Sequence, residues 1–212
     1  MKYLLVVAFL WIIPSIRLLA QEYNTALQTE LLQILETDQK YRMRMDSVSK
    51  TYGFKSDQMK ELWQVMRKQD SINLLKVKAI VAEHGWLGPS KIGSRPYMAL
   101  FLVIQHSDQQ TQEEFLPMIR VAVKRGDALA SDLALLEDRV ALGQGRKQLY
   151  GSQIGQDDKS GKMYVLPLDD PDNVDKRRLS AGLPPMAEYV KHFGITWNLE
   201  EYKKQQATDK TK

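Results

Sequence analysis

Cysteine is absent from the 212 residues. That removes a disulfide frame, a thiolate nucleophile and a lipid-modified cysteine at one stroke. Histidine is almost as scarce, with three copies, His84, His106 and His192. After the first 20 residues no long apolar run remains. Met98 to Ile104, the longest, has only the length of a buried helix, whereas crossing a bilayer takes about 20 residues. Charge of one sign is missing too. The formal charge is +4, and losing Lys2 and Arg17 with an N-terminal segment lowers it to +2. Nucleic-acid binding calls for a clustered basic surface, so no nucleic-acid partner is expected. The separated pairs Arg177-Arg178 and Lys203-Lys204 read as solvated surface.

What is present begins with an export pattern. Lys2 precedes an apolar stretch from Tyr3 to Ile13, Pro14 ends it, and Leu18-Leu19-Ala20 leads into Gln21-Glu22. A basic start, a short apolar core and a small residue at the end form a secretory signal. Residues 1 to 20 are therefore predicted to be removed, and the mature chain to be periplasmic or secreted. Membrane association is expected only through this segment if it stays uncleaved. The roughly 190 residues left favour one domain, stabilised by its apolar core rather than by cross-links.

Periodicity predicts helices. From Glu22 to Ser49, Leu27, Leu31, Ile34, Met45 and Val48 form one stripe. Ser56 reads as the N-cap of a second long helix carrying Met59, Leu62, Trp63, Met66, Val77, Ile80 and Val81, which Gly85 ends. A loop over residues 86 to 94 precedes a third helix, capped by Ser94 and apolar all round from Met98 to Ile104. Asp108 to Arg125 reads as one bent helix or two, interrupted by Pro117, and Asp127 as the cap of a fifth with Leu129, Leu133, Leu136 and Val140. Lys147 to Ile154 and Lys162 to Leu168 then predict a β-hairpin. Short helices follow, from Asp172 to Arg178 and up to Gly194, and residues 205 to 212 read as a disordered polar tail. The fold class is mainly α: one helical bundle, residues 21 to 204, of five or six main helices, with a small hairpin in the C-terminal third.

Polar residues on apolar stripes are the functional lead. At about 100° per residue, Asp38 falls about 20° from Leu27. Asp70, Asn73 and His84 fall on the second stripe, Gln105 and His106 end the third helix with Asp108 next, and Arg139 lies at the edge of the fifth. Such groups lose water and must find partners. One reading is a buried hydrogen-bond network fixing helix register, with Asp38 or Asp70 neutralised by Arg42 or Arg139. The other is a polar pocket between helices that takes a ligand. In it His84 or His106 serves as general acid/base with Asp38, Asp70 or Asp108, and Asn73, Trp86, Gln105, Arg139, Gln148 and Tyr150 contact the ligand.

Other constellations are weaker. His84, His106, Asp38 and Asp70 have ligand chemistry for zinc, but no metal-binding spacing such as HExxH occurs, and no metal or cofactor is expected. Ser107 between His106 and Asp108 lacks a nucleophile-elbow motif. Gly143-Gln144-Gly145 has no strand before it to make a dinucleotide loop. His192 reads as a surface residue.

Several segments together resemble a known family: His84-Gly85-Trp86, Phe101 to Asp108, Leu116-Pro117, Leu133 to Val140 and Gln148 to Gln153. They are similar to an uncharacterised bacterial domain of unknown function, common in exported proteins of Bacteroidetes-type bacteria, over about Asp38 to Tyr189. The resemblance implies no activity, substrate or cofactor. The sequence thus points to an exported helical protein that binds a small polar ligand or an envelope partner protein, with a cell-envelope hydrolase as the alternative.

Overall fold

The computed structural model describes residues 25–157 and 160–209; the expected signal at 1 to 20 lies outside the described residues. The chain runs α1 Thr25–Arg42, α2 Met45–Tyr52, α3 Asp57–His84, α4 Pro89–Ile92, α5 Ser94–His106, α6 Gln109–Arg125 and α7 Ala130–Gly143. Then come β1 Ile154–Gln156, β2 Met163–Val165, a 3-10 turn at Pro171–Asn173, α8 Val174–Ser180, α9 Met186–Lys191 and α10 Leu199–Asp209. The fold is mainly α with a small antiparallel hairpin, as the periodicity predicts. Among the described residues no helix is long and apolar enough to cross a membrane.

Local chemistry explains most boundaries. Ser56 Oγ accepts the Met59 N–H at 3.2 Å, and Asp108 accepts the Thr111 N–H at 2.8 Å. Both are side-chain N-caps. Gly126 closes α6 in the left-handed region (φ 76°), where a side chain is disfavoured. Pro117 sits inside α6 without dividing it.

Several boundaries differ from the sequence reading. The first stripe splits at Met43 and Arg44 into α1 and α2, so α2 packs on α3 instead of extending α1. Ser94 is the first helical residue of α5, and Gly93 occupies the cap without a side-chain bond. Met98 is 46% exposed, so α5 is not buried on every side. Leu129, not Asp127, precedes α7, and Asp127 instead pairs with Lys91 at 3.2 Å and Arg125 at 3.3 Å. The loop after α3 contains α4, and the hairpin strands are shorter than their apolar patterning implied. Residues 205 to 209 of the expected polar tail are helical, and 210 to 212 lie outside the described residues: Tyr202 is buried and its hydroxyl accepts the Leu168 N–H at 2.7 Å, anchoring α10.

The main core gathers Leu31, Ile34, Val77, Leu100, Ile104, Ile119 and Leu136 from α1, α3, α5, α6 and α7. A second cluster, with Val165, Leu168, Val174, Met186, Val190 and Tyr202, supports the hairpin and the last helices. Met59, Leu62 and Met66 form a third, against which Tyr41, Met45 and Val48 pack.

Helix direction positions the site. Gln28 Nε2 donates to Ile92 O at 2.9 Å near the start of α5, while Asp38 meets His106 at its end, so α1 and α5 run in parallel. α7 follows the same sense, since Tyr97 Oη donates to Asp132 at 2.6 Å and Gln105 Nε2 approaches Leu135 O at 3.5 Å. α3 runs the other way, with Thr37 bonded to Asn73 and Arg42 to Asp70. The C-terminal turns of α1, α5 and α7 therefore reach one end of the bundle.

Candidate functional site

At that end the last turn of α5 presents His106 to α1. Its Nδ1 lies 3.1 Å from both carboxylate oxygens of Asp38. Asp38 is 1% exposed, and a carboxylate can only accept, so the ring proton resides on Nδ1. The His106 side chain is 19% exposed. Among the described residues its Nε2, on the outer edge of the ring, has no hydrogen-bond partner.

The Asp38 carboxylate is over-determined by its neighbours. Gln39 Nε2 donates to Oδ2 at 2.6 Å, and Arg42 Nη1 lies 3.3 Å from Oδ1. Burial pushes its pKa up. The hydrogen bond and charge of His106, then Arg42 and Gln39, outweigh burial and hold the carboxyl below the usual carboxylate range. Arg42 also grips Asp70 through two parallel bonds of 2.8 Å each, with its Nη1 donating to the Asp38 carbonyl at 2.7 Å. This fork on a carboxylate is the geometry at which arginine excels.

Amides line the interior beside the dyad. Asn73 is fully buried; its Oδ1 accepts from Thr37 and Gln69 at 3.0 Å each. Its Nδ2, Gln105 Oε1 and Arg139 Nε are sealed from solvent without a hydrogen-bond partner. Arg139 is half-buried on α7. Burial, then the neighbouring Arg42 charge, push its guanidinium down, while Tyr189 acts in the opposite direction.

The structure thus unites Asp38, Asp70, Asn73, Gln105 and His106 at one end of the bundle, and Arg139 feels the charge of Arg42 there. It separates the other candidates. His84 is exposed at the far end of α3, 3.6 Å from Glu83. Fourteen residues of helix put it about 21 Å from Asp70, so it joins no polar interior. Asp108 is exposed and spent on capping α6. Trp86 is buried against Tyr97, centroids 6.4 Å apart, near the start of α5. Gln148 is fully buried and holds the base of the hairpin, donating to Gln153 O at 3.0 Å and Leu166 O at 2.9 Å. Tyr150 is half-buried and its hydroxyl approaches Glu137 at 3.4 Å. Ser107 Oγ donates to Ile104 O at 2.6 Å, so its proton is directed at a backbone carbonyl rather than at His106. Among the described residues no three His, Asp or Glu side chains converge as a metal site.

Two polar anchors escaped the sequence reading. Asp138 is fully buried and accepts the N–H groups of Leu149, Tyr150 and Ser152 at 2.6, 2.9 and 2.9 Å. It lies on the side of Ala134 and Ala141 rather than on the leucine stripe, so periodicity gives it no signal. Arg178, read as solvated surface, is 1% exposed. It donates to Pro184 O and Tyr150 O at 2.5 and 2.7 Å and lies 4.6 Å from the centre of the Tyr189 ring. Arg177 also turns inward, donating to Leu149 O at 2.7 Å. By contrast, the i,i+4 spacing of Asp38 and Arg42 is readable in sequence.

A groove of about 720 Å³ runs along α1 and α5, lined by Leu32, Leu35, Gln39, Met43, Arg95 and Met98. Gln39 joins its edge to the dyad, since the same side chain bonds Asp38.

No curated protein and no solved structure matches the chain. Residues 25–201 match the sequence profile of DUF6624, a family of unknown function. That span takes in α1 through the start of α10 and every residue of the dyad and its surroundings. The chain belongs to the DUF6624 family.

Proposed function

We propose that this is an exported protein whose Asp38–His106 end receives a small polar substrate, with His106 as general acid/base. One observation carries the reading: a buried carboxylate fixes the Nδ1–H tautomer of a histidine whose other nitrogen is free and whose ring edge meets solvent. An orienting carboxylate of this kind holds the ring in one tautomer and orientation and faces the imidazolium that forms once Nε2 takes a proton. Histidine suits proton transfer near neutral pH. With Ser107 engaged by a backbone carbonyl, the nucleophile for hydrolysis would be water. Its proton would pass to Nε2 and then to the leaving group.

The test is turnover of ester, amide, phosphate-ester and glycoside panels by the mature chain and by His106→Gln. We expect a loss of about 100- to 10,000-fold for a general acid/base, with the fold retained by circular dichroism. Asp38→Asn, which removes the charge behind the ring, should lower kcat more than it changes KM. Equal turnover by His106→Gln would overturn the catalytic assignment.

A second reading is ligand binding without turnover. It is favoured by the commitment of Arg42 to two carboxylates, an arrangement suited to rigidity. A ligand that raises the melting temperature of wild type and His106→Gln alike, without being consumed, would select it.

A further inference from the structure

We infer that the ligand of this end of the bundle carries an oxyanion, a phosphate or carboxylate group, and that Arg139 binds it. The inference rests on the reading of the His106 end as a ligand site.

Arg139 stands apart from the other arginines turned inward. Arg42 pairs with Asp38 and Asp70. Arg177 pairs with Asp170 at 3.1 Å, and Arg178 has two carbonyls and an aromatic face. Among the described residues Arg139 has neither an ion pair nor a hydrogen bond, and its Nε is sealed from solvent.

The acids nearest to it in sequence are already engaged. Glu137 pairs with Arg120 at 2.8 Å, and Asp138 takes the backbone N–H groups after α7. Of the acids across the interface, Asp38 holds His106 and Asp70 holds Arg42. The Arg42 charge, which helps push the Arg139 guanidinium down, deepens the excess of positive charge. A half-buried charge without a partner is destabilising, and such charges cluster at sites that serve a ligand or a switch.

A second observation marks the same place. Gln105, 5% exposed, reaches α7 at Leu135 O, one turn before Arg139, and its Oε1 has no partner. Gln105 also directly precedes His106. An oxyanion docked on the Nη edge of the Arg139 guanidinium would take two parallel N–H bonds.

The experiment titrates wild type, Arg139→Met and Arg139→Lys with inorganic phosphate and, separately, with acetate at constant ionic strength set by chloride. Affinity is read by calorimetry and by melting temperature. We expect saturable binding to wild type, at least tenfold weaker binding to Arg139→Met and an intermediate value for Arg139→Lys. The tighter of the two anions identifies the group. Without anion, Arg139→Met should melt above wild type, because an unpaired charge becomes an apolar side chain of similar length.

Absence of saturable binding of both anions to wild type would overturn the inference, as would equal affinity in Arg139→Met or a melting temperature below wild type in that variant. His106→Gln separates the two proposals. Anion binding that depends on Arg139 while turnover survives His106→Gln removes the catalytic role alone. Turnover that depends on His106 with no anion bound removes this inference alone.

Discussion

Single side chains at the dyad carry an acid-sensitive part of the stability. The folded Asp38 carboxyl lies below its ordinary 3.8. Its contribution is fully present above that value and disappears as the pH falls through the folded value. Urea midpoints should therefore drop on acidification below about pH 4, and Asp38→Asn should flatten that limb. An acid limb of unchanged slope in Asp38→Asn would move the origin of the effect elsewhere. Asp138 carries a different load. It satisfies three backbone N–H groups at the junction of α7 with the hairpin. Asp138→Ala leaves them buried and unpaired, at a cost of about 3 kcal/mol or more. A denaturant midpoint shift at constant m-value would measure it, and a shift of a few tenths of a kcal/mol would contradict it.

At the scale of elements, close approaches between backbones hold the helices in place. A Cβ on Gly88 would stand 2.7 Å from Asp127 Cα and from its carbonyl oxygen. Its φ of −81° suits any residue, so the constraint is purely steric. Gly88→Ala should cost about 1–3 kcal/mol through this overpacking, read as a lowered melting temperature; wild-type stability in that variant would mean the α6–α7 connection yields freely. The same scale shows why some boundaries were legible and others not. Ser56 and Asp108 cap where a short polar residue precedes a periodic run. Asp127 has the same local look, yet Lys91 and Arg125 hold it. Local signals name who can cap, and competing tertiary partners decide who does. α10 shows the converse: a segment too polar for a stripe of its own is held at Tyr202 by the chain it covers.

For the whole molecule, the absence of cysteine leaves the apolar core, not cross-links, as the chief source of stability. If the export reading holds, intact mass and N-terminal sequencing of the protein from fractionated cells should find a chain starting near Gln21 in the periplasm or medium. A full-length chain in the cytoplasm would sink it. Every described residue of α1, from Thr25 onward, lies after the expected cleavage site.

Sequence by itself determined the helical class, the hairpin in the C-terminal third and the burial of Asp38, Asn73 and Gln105. A helix repeats its face every few residues, so a polar residue out of place on a stripe is visible from spacing alone. Tertiary structure decided which of those residues meet. His84 and Asp70 share a helix yet lie about 21 Å apart along it, while His106 reaches Asp38 across 68 positions of chain. Arg178 and Asp138 became core residues because carbonyls and amides from distant loops converge on them. Periodicity reports the direction in which a side chain points; only packing determines what is waiting there.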